Sequence, residues 1–285
     1  MKLVYVVSAY KLPRQLGRLL RRLADGEARI AVHVDAKTPE GVYRRMRHEA
    51  SGLAHVHFLP RHRSFWAGFG HVRTTLKGIE HHLANPEPFD YAILLTGQDY
   101  PLVPPAVIRR RLAEAEGASF LNWFPLPTER WDANGGLDRF ERLHLVSYKS
   151  LHLRLPWRRR IPGGLRPFGG SAYWCLARPA VEYVADYTRR NPRYVRFFSR
   201  VFVPDELFFQ TLLLNSPLRE SMIDDDLRYL DWQRRPAPAI LRVDDLDTML
   251  ASGKLFARKF DESIDSRVLD ELDRQLDLAA ATLES

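Results

Sequence analysis

Cysteine is the scarcest residue in this 285-residue chain, with Cys175 alone. One thiol excludes an internal disulfide framework and any zinc cluster built on paired cysteines, and it fits folding in a reducing compartment. Long apolar runs are also missing. No segment reaches the roughly 18 consecutive apolar residues of a membrane span, and the most apolar stretches, such as Tyr91 to Thr96, are strand-sized. The amino-terminal Met1-Lys2-Leu3-Val4-Tyr5-Val6-Val7 lacks the long apolar core and small-residue cleavage site of a signal peptide and reads as a first strand. A cytoplasmic protein is therefore expected, with a peripheral place at the inner membrane face left open. No Gly-x-Gly-x-x-Gly follows that strand and no Gly-x-x-x-x-Gly-Lys-Ser/Thr occurs, which removes support for dinucleotide and P-loop chemistry.

What is present is the profile of an ordinary globular protein, 45% hydrophobic and 27% charged, able to bury a core without staples. Lys and Arg outnumber Asp and Glu by 43 to 35, a formal charge of +8, so a polyanion, an acidic membrane face or a phosphorylated ligand all fit as partners. The first 120 residues alternate strand and helix. Strands are expected at Leu3 to Val7, Ala31 to Val34, His55 to Phe58 and Tyr91 to Leu95. Helices are expected at Leu12 to Leu23, Pro39 to Ala50, His71 to Leu83 and after Pro104-Pro105. This predicts an α/β fold with a mixed, mostly parallel central sheet flanked by helices. A loop region over Leu121 to Pro167 precedes a strand at Ser171 to Ala177 and helices from Pro179 and from Asp205 to Leu214. A strand near Ala239 to Val243, a short helix from Asp244 and a last amphipathic helix from about Asp265 complete a single domain.

Ligands of open sheets bind beyond the carboxyl ends of the strands. There the chain places Ser8-Ala9-Tyr10, His33-Val34-Asp35 and Thr96-Gly97-Gln98-Asp99-Tyr100-Pro101. Two Asp-x-Asp patterns, Asp224-Asp225-Asp226 and Asp245-Leu246-Asp247, have the spacing that shares a hard cation. The first lies in a polar connection and the second opens a helix, so capping or solvation is the better reading. Asp99 offers a single carboxylate, a poor metal site. His81 and His82 point about 100° apart on a helix, which favours a solvated face over joint ligation. Cys175, inside Ala172 to Ala177, reads as inert strand packing.

The acidic pair of Phe202-Val203-Pro204-Asp205-Glu206-Leu207-Phe208 begins a helix within apolar surroundings that raise a carboxyl pKa. From the residues alone, a general base and a pair of helix caps stand as equal readings. In Leu255-Phe256-Ala257-Arg258-Lys259-Phe260-Asp261, two cations between aromatics suit a diphosphate, and equally a surface pair beside a Phe-lined groove. Trp66 has the surface to stack a base or to pack in a core.

Taken in order, six segments resemble the core-2/I-branching β-1,6-N-acetylglucosaminyltransferase and peptide O-xylosyltransferase family, in a compact bacterial form. They are His33-Val34-Asp35, Phe65 to Thr75, Leu94 to Leu102, Gly170 to Trp174, Pro204-Asp205-Glu206 and Phe256 to Phe260. The resemblance implies a GT-A-like fold and inverting transfer of N-acetylglucosamine or xylose from a UDP-sugar to an acceptor hydroxyl, with no metal or other cofactor. It implies Glu206 as general base and Val7, Asp35 and Trp66 at the uridine. Lys259, beside Arg258, would meet the diphosphate together with Arg235, Arg234 being the alternative. Asp99, Ser171, Tyr173 and Asp205 would be substrate-binding. Arg139 and Arg142 are acceptor candidates from a stretch where the family pattern is not reproduced. Residues 1-120 would form the nucleotide-sugar-binding half and 121-285 the acceptor and catalytic half of one domain, the acceptor being a glycan, peptide or small molecule. The Arg158 to Arg160 cluster falls outside these roles and supports a competing reading, a nucleic-acid or anionic-surface binding protein. Against that reading, no helix-turn-helix, zinc module or RNA-binding aromatic signature is present.

Overall fold

A computed structural model of the chain describes residues 1–131, 134–146 and 152–284. The chain forms two compact units. One comprises Met1–Pro60, Phe89–Gly117 and Leu227–Ser285; the other comprises Arg61–Pro88 and Ala118–Asp226. The fold is α/β, with mostly parallel strands flanked by helices, as the alternation predicts.

In the first unit, β1 (Leu3–Ala9), β2 (Arg29–Val34), β3 (Val56–Phe58) and β4 (Tyr91–Thr96) run parallel in the order β3-β2-β1-β4. β1 pairs on both edges and is buried except at Ser8, which is why it is an unbroken apolar run and not an alternating one. The crossover to β2 is helix Pro13–Leu23, whose Leu16, Leu19, Leu20 and Leu23 are fully buried. Burying one such leucine is worth about 1.5–3 kcal/mol, so this stripe fixes the helix. Gln15 is buried on the same helix because all its polar atoms are used: its amide donates to Gly97 O and Phe260 O, and its Oε1 accepts from the Glu262 N–H. β5 (Asp99–Pro101) runs antiparallel to strand Phe256–Arg258, in a register that sets Arg258 opposite Asp99. Helix Arg267–Glu284 places Val268, Leu269, Leu272 and Leu276 inward.

In the second unit, strand Ser119–Leu121 pairs antiparallel with Trp174–Ala177 and parallel with Met222–Ile223. Its core is aromatic: Tyr194, Phe198, Phe208 and Phe209 are fully buried, and the Tyr194 hydroxyl donates to Phe208 O at 2.7 Å.

Five local expectations change. Ala239 to Arg242 forms no strand: Ala239 and Leu241 each donate one backbone bond, to Asp231 O and Lys259 O, and the adjacent Pro236 and Pro238 have no N–H to extend a ladder. The loop region contains a hairpin, Leu143–Val146 with His152–Leu155. The helix from Asp205 is a 3-10 turn, Pro204–Glu206, separated from helix Phe208–Leu214 by Leu207 at φ −134. The strand expected from Ser171 begins only at Trp174. His82 is buried, not solvated, at 2% exposure.

Candidate active site

The Pro204–Glu206 turn is shaped by strain. Val203 and Ala67 both lie in the left-handed region, at φ 49 and 59, and the Val203 N–H donates to Ala67 O at 3.0 Å. A β-branched residue there is a true outlier, held only where its surroundings over-determine it, a condition met mainly at functional sites. The Gly170 N–H donates to Glu206 O at 3.0 Å, fixing the end of the turn. A side chain at Gly170 is impossible, because its Cβ would stand 1.9 Å from Asn122 O.

Glu206 Oε2 accepts a 2.8 Å hydrogen bond from Arg139 Nη1, and its side chain keeps 30% exposure. Its Oε1 has no hydrogen bond among the described residues. Burial pushes the Glu206 carboxyl above its ordinary range, the neighbouring Asp205 adds to that, and Arg139 pulls it partly back. Burial likewise raises Asp205, opposed by the charge of His71, and Asp205 Oδ1 is buried with no partner among the described residues. A partly exposed carboxylate with one oxygen pinned and the other open can accept a proton.

In the first unit, Arg258 Nη1 lies 3.3 Å from Thr96 Oγ1 and 3.5 Å from Asp99 Oδ1, while Asp99 also accepts from the Thr96 N–H. Asp99 is fully buried, so it orients Arg258. The Lys259 ammonium makes no hydrogen bond or ion pair among the described residues. Burial, then Arg258 and Lys11, push its pKa down, and Asp261 offsets this in part. Lys11, which the sequence reading overlooked, bonds Asp261 Oδ2 at 2.5 Å. Its signal was a lone cation just past the end of β1. Such a cluster of incompletely neutralised cations suits a polyphosphate. Arg234 is committed to Asp231 and Asp245, whereas Arg235 is exposed and makes no ion pair among the described residues.

The structure thus joins Arg139 with Glu206 and Arg258 with Asp99. The first unit holds Val7, Asp35, Asp99, Arg235, Arg258 and Lys259, and the second holds Trp66, Arg139, Arg142, Ser171, Tyr173, Asp205 and Glu206. Val7 is fully buried between Val32 and Leu95 and presents no side-chain surface to a ligand. Asp35 accepts from the Lys37 N–H at 2.8 Å and lies 3.4 Å from its ammonium. Trp66 is 71% exposed, its ring edge-on to Phe202 at 5.9 Å. Arg142 Nη1 donates to Pro156 O, and Ser171 Oγ accepts from the Tyr173 N–H at 3.3 Å.

Both Asp-x-Asp patterns have structural tasks. Asp224 Oδ1 accepts from Asn122 Nδ2 and the Trp123 N–H, and Asp245 Oδ2 accepts from the Arg242 N–H. Among the described residues, no group of three or more His, Cys, Asp or Glu is arranged to hold a metal ion. Arg159, at the centre of the basic cluster, turns inward to donate to Arg142 O, Arg200 O and Phe197 O. Only Arg158 and Arg160 remain exposed for an anionic partner. No helix among the described residues is long and apolar enough to cross a membrane.

A family model described as Core-2/I-Branching enzyme matches residues 3–250. The chain is 30% identical over 285 residues to xylosyltransferase 2 of Rattus norvegicus, covering 92% of this chain and 32% of that protein. It is 27% identical over 286 residues to xylosyltransferase 1 of Homo sapiens, covering 92% and 29%. The chain therefore spans about a third of the length of the curated relatives it matches. Among solved structures, 4-diphosphocytidyl-2C-methyl-D-erythritol synthase from Anaerococcus prevotii aligns with TM-score 0.34 and 8% identity over 67% of this chain and 76% of that one, too weak a likeness to bear on the fold.

Proposed function

Since the chain belongs to the Core-2/I-Branching enzyme family of glycosyltransferases, we propose that it is an inverting, UDP-sugar-dependent transferase of GT-A type with Glu206 as its general base. The observation that carries this reading is the Glu206 carboxylate on its strained turn, with Oε2 held by Arg139 and Oε1 open. In the proposed reaction Oε1 takes the proton of an acceptor hydroxyl as that oxygen attacks the anomeric carbon. The bond from that carbon to the diphosphate oxygen breaks, and UDP leaves with the electron pair. Lys259, with Arg258 beside it and Arg235, stabilises the charge growing on the departing diphosphate, the part a divalent metal plays in other enzymes. Asp99 acts indirectly, by orienting Arg258. Asp35 and Trp66 are assigned to the uridine, with Val7 contributing to the sheet behind it, and Ser171, Tyr173, Asp205 and Arg142 to the substrates. The xylosyltransferase relatives make UDP-xylose the first donor to test and UDP-N-acetylglucosamine the second.

The test is UDP release from each donor, water serving as the acceptor hydroxyl, in buffer containing EDTA, followed from pH 4 to pH 9. The proposal predicts that EDTA leaves the rate unchanged. It predicts an acidic limb displaced above the ordinary carboxylate value, because only ionised Glu206 accepts the proton and its burial raises its pKa. A rate abolished by EDTA and restored by Mn²⁺ would overturn the metal-free diphosphate site, and a rate unchanged down to pH 4 would overturn the carboxylate base.

A further inference from the structure

We propose that Trp131 is a positioning residue for the base, its ring holding the Arg139 guanidinium against Glu206 Oε2 and so leaving Oε1 to the acceptor hydroxyl. This rests on the assignment of Glu206 made above. The Arg139 Cζ lies 3.5 Å from the centroid of the Trp131 ring, a stacked cation–π contact, while Nη1 reaches Glu206 Oε2 at 2.8 Å. Guanidinium is the group that serves both ends, flat against the ring and forked toward the carboxylate. The backbone N–H of Phe202 donates to Arg139 O at 2.9 Å, tying the same residue to the chain just before the strained Val203.

The surroundings of the ring are shaped around it. A Cβ on Gly136 would stand 2.4 Å from Trp131 Cε3, and one on Gly169 would stand 2.5 Å from Cη2. Gly136 also supplies a φ of 84. Gly169 has no left-handed backbone to explain it and lies in a strand paired with Phe124, whose ring meets Trp131 edge-on at 5.0 Å. The missing side chain at 169 is therefore room for the indole and for the Phe124 ring packed on it, whose Cε2 would stand 2.9 Å from a Cβ there. Two glycines from separate segments make space for a half-buried tryptophan whose face is spent on one arginine. Core filling alone would not require the guanidinium.

The charged groups facing Glu206 are Asp205 on its own turn and Arg139, with His71, at the start of helix Gly70–Ala84, facing Asp205. Of these, Arg139 is the one whose position depends on Trp131. Loosening it removes the attraction that favours ionised Glu206, and the Glu206 pKa must rise.

The experiment is a ¹³C-carboxyl NMR titration of the full chain labelled at glutamate, with the Glu206 resonance identified by its loss in E206Q. Trp131→Leu should raise the Glu206 pKa by about one unit, the low end of what a charge partner contributes. Gly169→Ala, which pushes on the ring edge, should raise it in the same direction. Trp131→Phe, which keeps a stacking face, should recover at least half of the loss. Glu206 titrating as in the wild type in both Trp131→Leu and Gly169→Ala overturns the proposal. So does a Trp131→Phe shift as large as that of Trp131→Leu, since that marks packing and not stacking. Should Trp131→Leu fail to fold, Gly169→Ala carries the prediction alone. The titration uses no substrate, so full turnover in E206Q would remove the base assignment while the NMR result still reports the hold of Trp131 on Arg139.

Discussion

Asp205 and Glu206 adjoin in sequence but are left in different states. Glu206 has a cation and some solvent; Asp205 has a buried oxygen with no partner among the described residues. A carboxyl whose folded pKa is raised opposes folding once it ionises, so Asp205 destabilises the native chain above the unfolded carboxyl pKa. That penalty fades as pH falls through the raised value. Asp205→Asn should therefore raise the melting temperature at neutral pH by about 2 °C or more, and the gain should disappear on acidification. Thermal scans from pH 3 to pH 8 measure it. Stability given up beside the proposed base would follow the usual pattern of catalytic sites. Part of this was legible in the sequence: Glu206 stood out because carboxylates among phenylalanines need a reason. Arg139 was named only as an acceptor candidate and Trp131 not at all, because neither spacing nor composition says that this arginine will pair with a carboxylate on a turn 67 residues away.

Among the elements, the amino-terminal helix and the last one are joined by charge. Arg18 pairs with Asp270 at 2.7 Å and Asp273 at 2.6 Å, Arg22 pairs with Asp273 and Asp277, and the Tyr100 hydroxyl donates to Asp273 Oδ1 at 2.7 Å. Burial, and then the bond to Asp273, push the tyrosine pKa up, so it stays a neutral donor. Asp273 is the shared acceptor. Asp273→Ala leaves a buried hydroxyl and two arginines without it and should destabilise by about 1–3 kcal/mol, read as a lower denaturation midpoint. Asp277→Ala, at the exposed end of the ladder, should stay within about 1 kcal/mol of wild type. The βα alternation and most strand and helix positions were readable because hydrophobic periodicity is local. Strand Phe256–Arg258 and β5 were not, since each is too short to carry a period and, unlike β3, lies outside the βα alternation and is defined by its antiparallel pairing.

For the molecule as a whole, the surplus of eight positive charges divides into groups with different duties. Arg18, Arg22 and Arg159 hold the fold, while Lys259 and Arg235 are left without ion-pair partners among the described residues. If these bind a diphosphate, Lys259→Ala should weaken UDP binding by about tenfold or more, since charge-assisted bonds are worth about 1.5–3 kcal/mol. The wild-type affinity should also fall as pH rises through the depressed lysine pKa, because the ammonium then loses its charge. Calorimetry with UDP at several pH values reads both. In the proposed mechanism the chemistry stands on Glu206, and the most direct test is Glu206→Gln, which keeps the side-chain shape and removes the proposed proton acceptor. UDP-xylose affinity and single-turnover UDP release should be measured together. Affinity should stay within about threefold while turnover falls by about 10²-fold or more, the contribution general bases make. Turnover near that of the wild type would contradict the mechanism.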